Sequence, residues 1–288
     1  MPRGLRLALM LLVLLAAPVR AEVTTRDDRG GPARDAVVSV GACTGTLVTD
    51  RVVLTAAHCL PAAFRQPRPD RPVAECAELP GHAGLQGDAW EDPARWYPVA
   101  GPAGRAIPVR FGALSGTPRL TRRVEAYAMP RCADIALLRM DLTVPFYVAR
   151  ARPVMSAAPS AVGRTLGRAR LRHAGWGMPS IREAPSPRRL TGPVAFWGAN
   201  DCQLTGLPPL RESGRRILPG DSGSPLLMDV GGEEVVVAVL FGAGIADPDI
   251  CGMIRPAPPE GHGSYVPLWR PAPPGSRRGG GGGRLPRL

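Results

Sequence analysis

Three short segments of the 288-residue chain hold side chains suited to nucleophilic chemistry. In Pro219-Gly220-Asp221-Ser222-Gly223-Ser224-Pro225, glycines flank an acid–serine pair just ahead of the apolar Leu226-Leu227. Glycine lets a backbone take positive φ and turn its N–H groups toward one point, which is how a loop sets oxyanion donors beside a nucleophile. Gly-Asp-Ser-Gly also suits an ordinary turn. In Val53-Leu54-Thr55-Ala56-Ala57-His58-Cys59 an apolar stretch runs into small residues and ends on His-Cys. That histidine is either a satisfied core residue or a general base able to take a serine proton at neutral pH. Asp134 opens the run Ile135-Ala136-Leu137-Leu138-Arg139-Met140, as either a cap or a buried carboxylate with a partner. A lone buried carboxylate is costly, and an imidazole N–H would relieve it.

The elements around these segments are short. Val-, Leu- and Ile-rich stretches recur between Gly and Pro punctuation at Ala36-Val40, Thr44-Val48, Val52-Thr55, Val109-Leu114, Ile135-Leu138, Val194-Trp197 and Glu234-Phe241. This is the habit of an all-β sandwich or barrel, and no long stretch has a helical period. Pro61 to about Ile107 breaks the pattern with dense Pro and Gly, and reads as a surface insertion unable to supply hydrogen bonds to a central sheet.

Arg3 and Arg6 precede an apolar run from Leu7 to Ala17 and a small-residue site ending at Ala21. Residues 1–21 therefore read as a secretory signal, with a secreted or periplasmic product and no stable membrane insertion. Six cysteines in an exported chain favour disulfides, and no CxxC or HxxxH spacing argues for a metal site. The formal charge is +12, every basic residue is Arg, and none is Lys. Three of the arginines lie in the signal and five in the Gly-rich stretch from Arg270 to Leu288, leaving the body near +4. No basic stripe interleaved with aromatics appears, so nucleic acid is not an expected partner. The stretch 270–288, with glycines from Gly279 to Gly283, reads as a disordered tail.

Taken in order, Thr55-Ala56-Ala57-His58-Cys59, Asp134-Ile135-Ala136-Leu137-Leu138 and Gly220-Asp221-Ser222-Gly223-Ser224-Pro225 resemble the three active-site motifs of the trypsin/chymotrypsin family of serine peptidases, in an exported, bacterial-type form. Gly175-Trp176-Gly177 resembles the family's Gly-Trp-Gly turn, and Gly263-Ser264-Tyr265-Val266 its late strand. The resemblance reaches from about Val37 to Leu268. It implies an all-β domain over 22–269, with two antiparallel six-stranded β-barrels packed together, about 22–143 and 144–269, and the active site in the cleft between them. It further implies a catalytic triad of His58, Asp134 and Ser222, an oxyanion hole from the N–H groups of Gly220 and Ser222, and a Cys43–Cys59 disulfide. Protein or peptide substrates, a monomer, and no metal or organic cofactor complete the expectation. The other four cysteines do not follow the family's spacing, and Cys76–Cys132 and Cys202–Cys251 are the pairings we expect.

The chain also departs from the pattern. Matured family members carry an Ile-Val-Gly-Gly-like new terminus whose ammonium pairs with the acid before the serine, here Asp221. Arg26, Arg29 and Arg34 are followed instead by Asp27, Gly30 and Asp35. Either no such switch is needed or Asp221 has another partner. Leu240-Phe241-Gly242 stands where the family has Ser-Trp-Gly, so Phe241 and Gly242 are expected at the substrate, while Leu240 removes a polar group near the triad's carboxylate. Arg215-Arg216-Ile217-Leu218-Pro219 lacks the family's cysteine and a trypsin-like pocket acid. Arg216 either lines the pocket and attracts acidic side chains or is a solvated arginine, and cleavage after Arg or Lys should be weak unless Asp247 or Asp249 reaches the site. The rival function is a catalytically silent homologue acting as a binding module. An acyl hydrolase of another fold is disfavoured because no Gly-x-Ser-x-Gly elbow is present.

Overall fold

The structure, a computed structural model, describes residues 26–27, 31–61, 96–99, 107–114, 116–129, 134–155, 158–159, 161–177, 189–200, 203–211, 215–243 and 254–269. The signal, the tail, most of the Pro-rich insertion and four of the cysteines, Cys76, Cys132, Cys202 and Cys251, lie outside them. The described strands are β1 (Arg26–Asp27), β2 (Val37–Val40), β3 (Cys43–Leu47), β4 (Val52–Thr55), β5 (Tyr97–Pro98), β6 (Pro108–Phe111), β7 (Leu120–Ala128) and β8 (Ala136–Met140). A short helix α1 (Val162–Arg168) then precedes β9 (Leu171–Gly175), β10 (Leu190–Ala199), β11 (Leu204–Leu207), β12 (Pro225–Val230), β13 (Glu233–Gly242) and β14 (Gly263–Pro267). All ladders between them are antiparallel.

Two closed six-stranded barrels result. The first runs β7-β6-β2-β3-β4-β8 and closes through β7–β8, and the second runs β10-β11-β14-β13-β12-β9 and closes through β10–β9. Closure removes the free edges that an open sheet would expose. Two short strands are added outside. From within the Pro-rich stretch, β5 pairs Tyr97 and Pro98 with Tyr127 and Ala126 of β7, so two of its residues do reach the sheet, at an edge where Pro is tolerated. N-terminal β1 crosses to the second barrel and pairs with β10 at Thr191 and Leu190.

The uninterrupted apolar runs have a common cause. Side chains alternate faces along a strand, so a strand buried on both faces has no polar side to show. Along β4, Val53 joins the core of the first barrel and Leu54 joins a second cluster shared by both barrels. Ala136 and Leu138 do the same against Ile135 and Leu137. The shared cluster also takes Leu227, Val236, Val239, Val266 and Leu268 from the second barrel, which packs the two barrels together around the ends of β4 and β8. A third cluster, including Leu226, Val237, Leu240 and Tyr265, fills the second barrel, and α1 covers it through buried Leu166. A buried ion pair adds a polar link, because Arg189, at the entry to β10, donates to the Asp35 carboxylate at 3.0 Å and to the Val37 carbonyl at 2.7 Å.

Candidate active site

His58 lies in a 3-10 turn, Ala57–Cys59, that follows β4 directly. A disulfide from Cys59 to Cys43, at the start of β3, ties this turn down with 6.0 Å between Cα atoms. Opposite, β8 pairs with β4 in the register Thr55↔Ala136, and two more steps of that register bring Asp134 beside the His58 turn. Both carboxylate oxygens of Asp134 are used. One accepts the His58 backbone N–H at 2.8 Å and the other meets Nδ1 of the imidazole at 2.6 Å. A carboxylate can only accept, so Nδ1 carries the proton and Nε2 of the neutral ring keeps the lone pair. Of the two readings of Asp134, a partnered carboxylate is what the geometry contains, although its side chain keeps 28% exposure and that of His58 keeps 38%.

Ser222 comes from the other barrel, on the turn entering β12, and is half-buried. Its carbonyl accepts the Thr44 N–H at 2.8 Å, while the Thr44 hydroxyl donates to the Gly220 carbonyl at 2.8 Å and accepts from the Trp176 N–H at 3.0 Å. Thr44 adjoins Cys43, so the serine turn is hydrogen-bonded to the strand whose disulfide holds the histidine turn. Gly223 fits even closer. Its φ is +84°, and a Cβ there would collide with the Thr44 carbonyl and the Thr55 hydroxyl and lie 3.1 Å from the Ala56 N, two residues before His58. No side chain could occupy that contact without separating the turn from the histidine strand.

The backbone donors of the turn divide into two sets. The N–H groups of Asp221, Gly223 and Ser224 are taken by the carbonyls of Leu218, Leu240 and Asp221. Those of Gly220, at φ +91°, and Ser222 meet no acceptor among the described residues. They are the two that the family resemblance implies as oxyanion donors.

Behind the turn, Asp221 is wholly buried. One guanidinium nitrogen of Arg211 donates to both its oxygens, at 2.9 and 2.8 Å, and the N–H groups of Leu218 and Gly177 add bonds of 2.9 Å each. The His173 ring approaches to 3.6 Å. Burial pushes the Asp221 carboxyl up, but the nearby His173 ring, the Arg211 charge and the Leu218 N–H outweigh it and hold it below the usual range. Burial and the Asp221 charge together push the neighbouring Tyr265 hydroxyl up. The glycines of Gly175-Trp176-Gly177 now have a reason, since a Cβ on Gly177 would sit 2.6 Å from an Asp221 oxygen and one on Gly175 at 2.5 Å from the other. The sequence raised the question of a partner for Asp221 and offered no means of choosing Arg211. Thr55 sat inside the His58 motif and Thr44 at the start of an apolar stretch, neither with a role of its own.

The expected substrate residues are less concentrated. Phe241 packs on the shared inter-barrel cluster that holds Leu54, Ala56 and Ile135, and Gly242 faces open space. Leu240 is wholly buried in the core of the second barrel with Tyr265, in a different cluster from Phe241. Arg216 donates to the Pro208 carbonyl and, with His173, Thr191 and Arg211, lines a small cleft on the rear side of the turn. Asp247 and Asp249 lie outside the described residues. Cys43, His58 and Cys59 gather closely, but both sulfurs are consumed in the disulfide and offer no thiolate to a metal.

A family model described as Trypsin matches residues 24–71, a stretch that contains β2, β3, β4 and the His58 turn. No curated protein matches the chain. Among the described residues no helix is long and apolar enough to cross a membrane. The partial family match and the two-barrel fold together fit a trypsin-like peptidase.

Proposed function

We propose that the chain is an exported serine endopeptidase with His58, Asp134 and Ser222 as its triad. The observation that carries this reading is the hydrogen bonding of the Ser222 turn to Thr44, on the strand that the disulfide ties to His58, whose Nδ1 is already engaged by Asp134. Nε2 of His58 then takes the Ser222 proton as the serine oxygen attacks a peptide carbonyl. The tetrahedral oxyanion accepts from the N–H groups of Gly220 and Ser222, each worth about 3 kcal/mol in such a site. His58 returns the proton to the leaving amine, and a water activated by the same nitrogen hydrolyses the acyl-enzyme. Asp134 holds the ring in this tautomer and stabilises its charged form.

Substrate choice follows from charge. A basic side chain needs an acid to offset its desolvation, and the carboxylate that adjoins the serine in sequence, Asp221, is already engaged by Arg211 while Arg215 and Arg216 precede it. Chromogenic peptides differing only in Arg, Glu or Leu at the cleaved position should show Arg as a poor substrate. A strong Arg preference would overturn this pocket assignment.

Incubating the purified chain and its Ser222→Ala variant with casein and with a small ester tests the function itself. The expected result is turnover of both substrates by the parent and of neither by the variant. Ester hydrolysis alone would indicate an esterase, and inertness toward both would favour a binding module.

A further inference from the structure

We propose that the turn after β8 docks peripherally on an anionic phospholipid surface, without crossing it. The side chains of Leu142, Phe146 and Tyr147 enter the headgroup layer, and the guanidinium groups of Arg122 and Arg150 meet the phosphates. The proposal is independent of the peptidase reading.

Exposure is the first observation. Among the described residues the three most exposed large hydrophobic side chains are Leu142, Phe146 and Tyr147, at 60%, 72% and 62%, and all three stand in one stretch. That stretch is anchored, because its Val144, Val148 and Ala149 are buried in the core of the first barrel. The Val144 N–H donates to the Asp50 carbonyl at 2.7 Å, those of Val148 and Ala149 to the Pro145 carbonyl, and that of Arg150 to the Pro32 carbonyl at 2.7 Å. The Phe146 and Tyr147 rings meet edge to face with 5.9 Å between centroids. The turn is thus pinned at its base while it holds apolar side chains out to water, and exposed apolar patches of this kind mark interaction sites.

Area and charge decide what covers them. The three side chains together offer roughly 400 Å², half of the ~800 Å² that each partner gives to a stable protein–protein interface. A fluid surface needs no matching patch, and aromatic rings settle at its headgroup level. Stable binding there takes a second signal besides the apolar one, and the arginines supply it. Arg122 donates from Nε and Nη2 to the Thr143 carbonyl at 3.2 and 3.1 Å, so its charge is met by carbonyls alone, and exposed Arg150 follows directly on Ala149. Neither has a carboxylate partner among the described residues, which leaves both guanidinium groups open to phosphate. Of the acids beside the turn, Asp50 is exposed, and Asp141 is turned back onto the N–H groups of Arg123 and Leu142. Asp134 precedes β8 and the turn follows it, a separation of roughly 20 Å along the strand, so substitutions in the turn do not reach the candidate triad.

Cosedimentation of the full-length chain with lipid vesicles tests the proposal. Binding is expected to phosphatidylcholine vesicles containing about 30% phosphatidylglycerol, and at least about fivefold less to pure phosphatidylcholine. The stretch 270–288 carries five arginines and could hold the chain by charge alone, so the deciding variant is Phe146→Ser/Tyr147→Ser, which keeps every charge. It should lower the partition coefficient at least about tenfold, with the melting temperature unchanged. Arg122→Gln and Arg150→Gln should each lower it about fivefold, and Phe146→Trp should leave it at the parental level. A double variant that binds as the parent does would overturn the proposal, as would a parent that ignores the vesicles or binds both kinds alike. Sedimentation without lipid covers the other occupant: a parent dimer that the double variant loses would replace lipid by a second copy of the chain. Should the double variant fail to fold, Tyr147→Ser and Arg150→Gln decide.

Discussion

The serine turn has two sides, and they hold charge in opposite ways. In front, Asp134 and His58 are paired yet remain in contact with solvent. Behind, Asp221 is sealed from water and saturated by Arg211 and two backbone N–H groups. In the proposed mechanism the difference follows from what each acid serves. Asp134 serves His58, a general base that has to gain and lose a proton, so its environment must leave both states of the ring accessible. A scaffold charge works best when it never changes state, and burial with a fixed counter-charge ensures that. On the proposed function the two acids thus divide the turn into a side that reacts and a side that holds.

The largest effects are expected on the front. Ser222→Ala should lower kcat roughly 10⁶-fold, and adding His58→Ala should cost little more, because such residues act as a unit. A double variant far worse than either single one would separate the residues into independent roles. Asp134→Asn should lower kcat roughly 10⁴-fold by favouring the wrong imidazole tautomer, with a melting temperature close to the parent's. If stability fell as steeply as activity, Asp134 would belong with Asp221 as a scaffold acid and the contrast would fail.

Smaller effects concern how the sides are joined. Replacing Cys43 and Cys59 by serine opens a loop with a sequence separation of 16, a change worth about 3 kcal/mol of stability by loop entropy. Gly223→Ala should cost a comparable amount, roughly 3 kcal/mol, through overpacking against Thr44 and Thr55 and the strained φ. Urea denaturation measures both, and a neutral Gly223→Ala would mean that the turn does not rest on the histidine strand as described.

The smallest signal is a pH dependence. The folded-state pKa of Asp221 is depressed, so its ionised form contributes stability above the unfolded value, about 3.9, and that contribution is lost as pH falls through the lower folded value. The stability difference between the parent and Asp221→Asn should therefore stay level from neutral pH down to about pH 5 and narrow only below the ordinary carboxylate range. A difference that disappeared already near pH 6 would point to a histidine, with His173 the nearest, as the cation that matters.

Several elements were legible beforehand for reasons visible in the molecule. Val52-Thr55 and Ile135-Leu138 stood out because strands buried on both faces are apolar on both, with Thr55 the hydrogen-bonded exception. By contrast, β7 escaped notice because Arg122, Arg123 and Glu125 interrupt its apolar pattern, and Glu125 turns out to bind Arg51 and Arg139 on the barrel's outer face. The irregularity of β13 between Leu240 and Gly242, which shifts which residue faces which side, was not legible either, because no residue type in that stretch announces it.

What the sequence determined by itself is the chemistry that resides in contiguous residues: the His58 and Ser222 turns, the acid opening β8, and the cysteine beside the histidine. Each depends on side-chain type and on local backbone freedom, which neighbouring residues dictate. Only the tertiary structure decided which distant charges meet. All 36 basic residues are arginines, and nothing in their local sequence marks Arg211 for Asp221 or Arg189 for Asp35. Burial selects them, and burial is set by how the two barrels close and pack, which no short stretch of chain encodes.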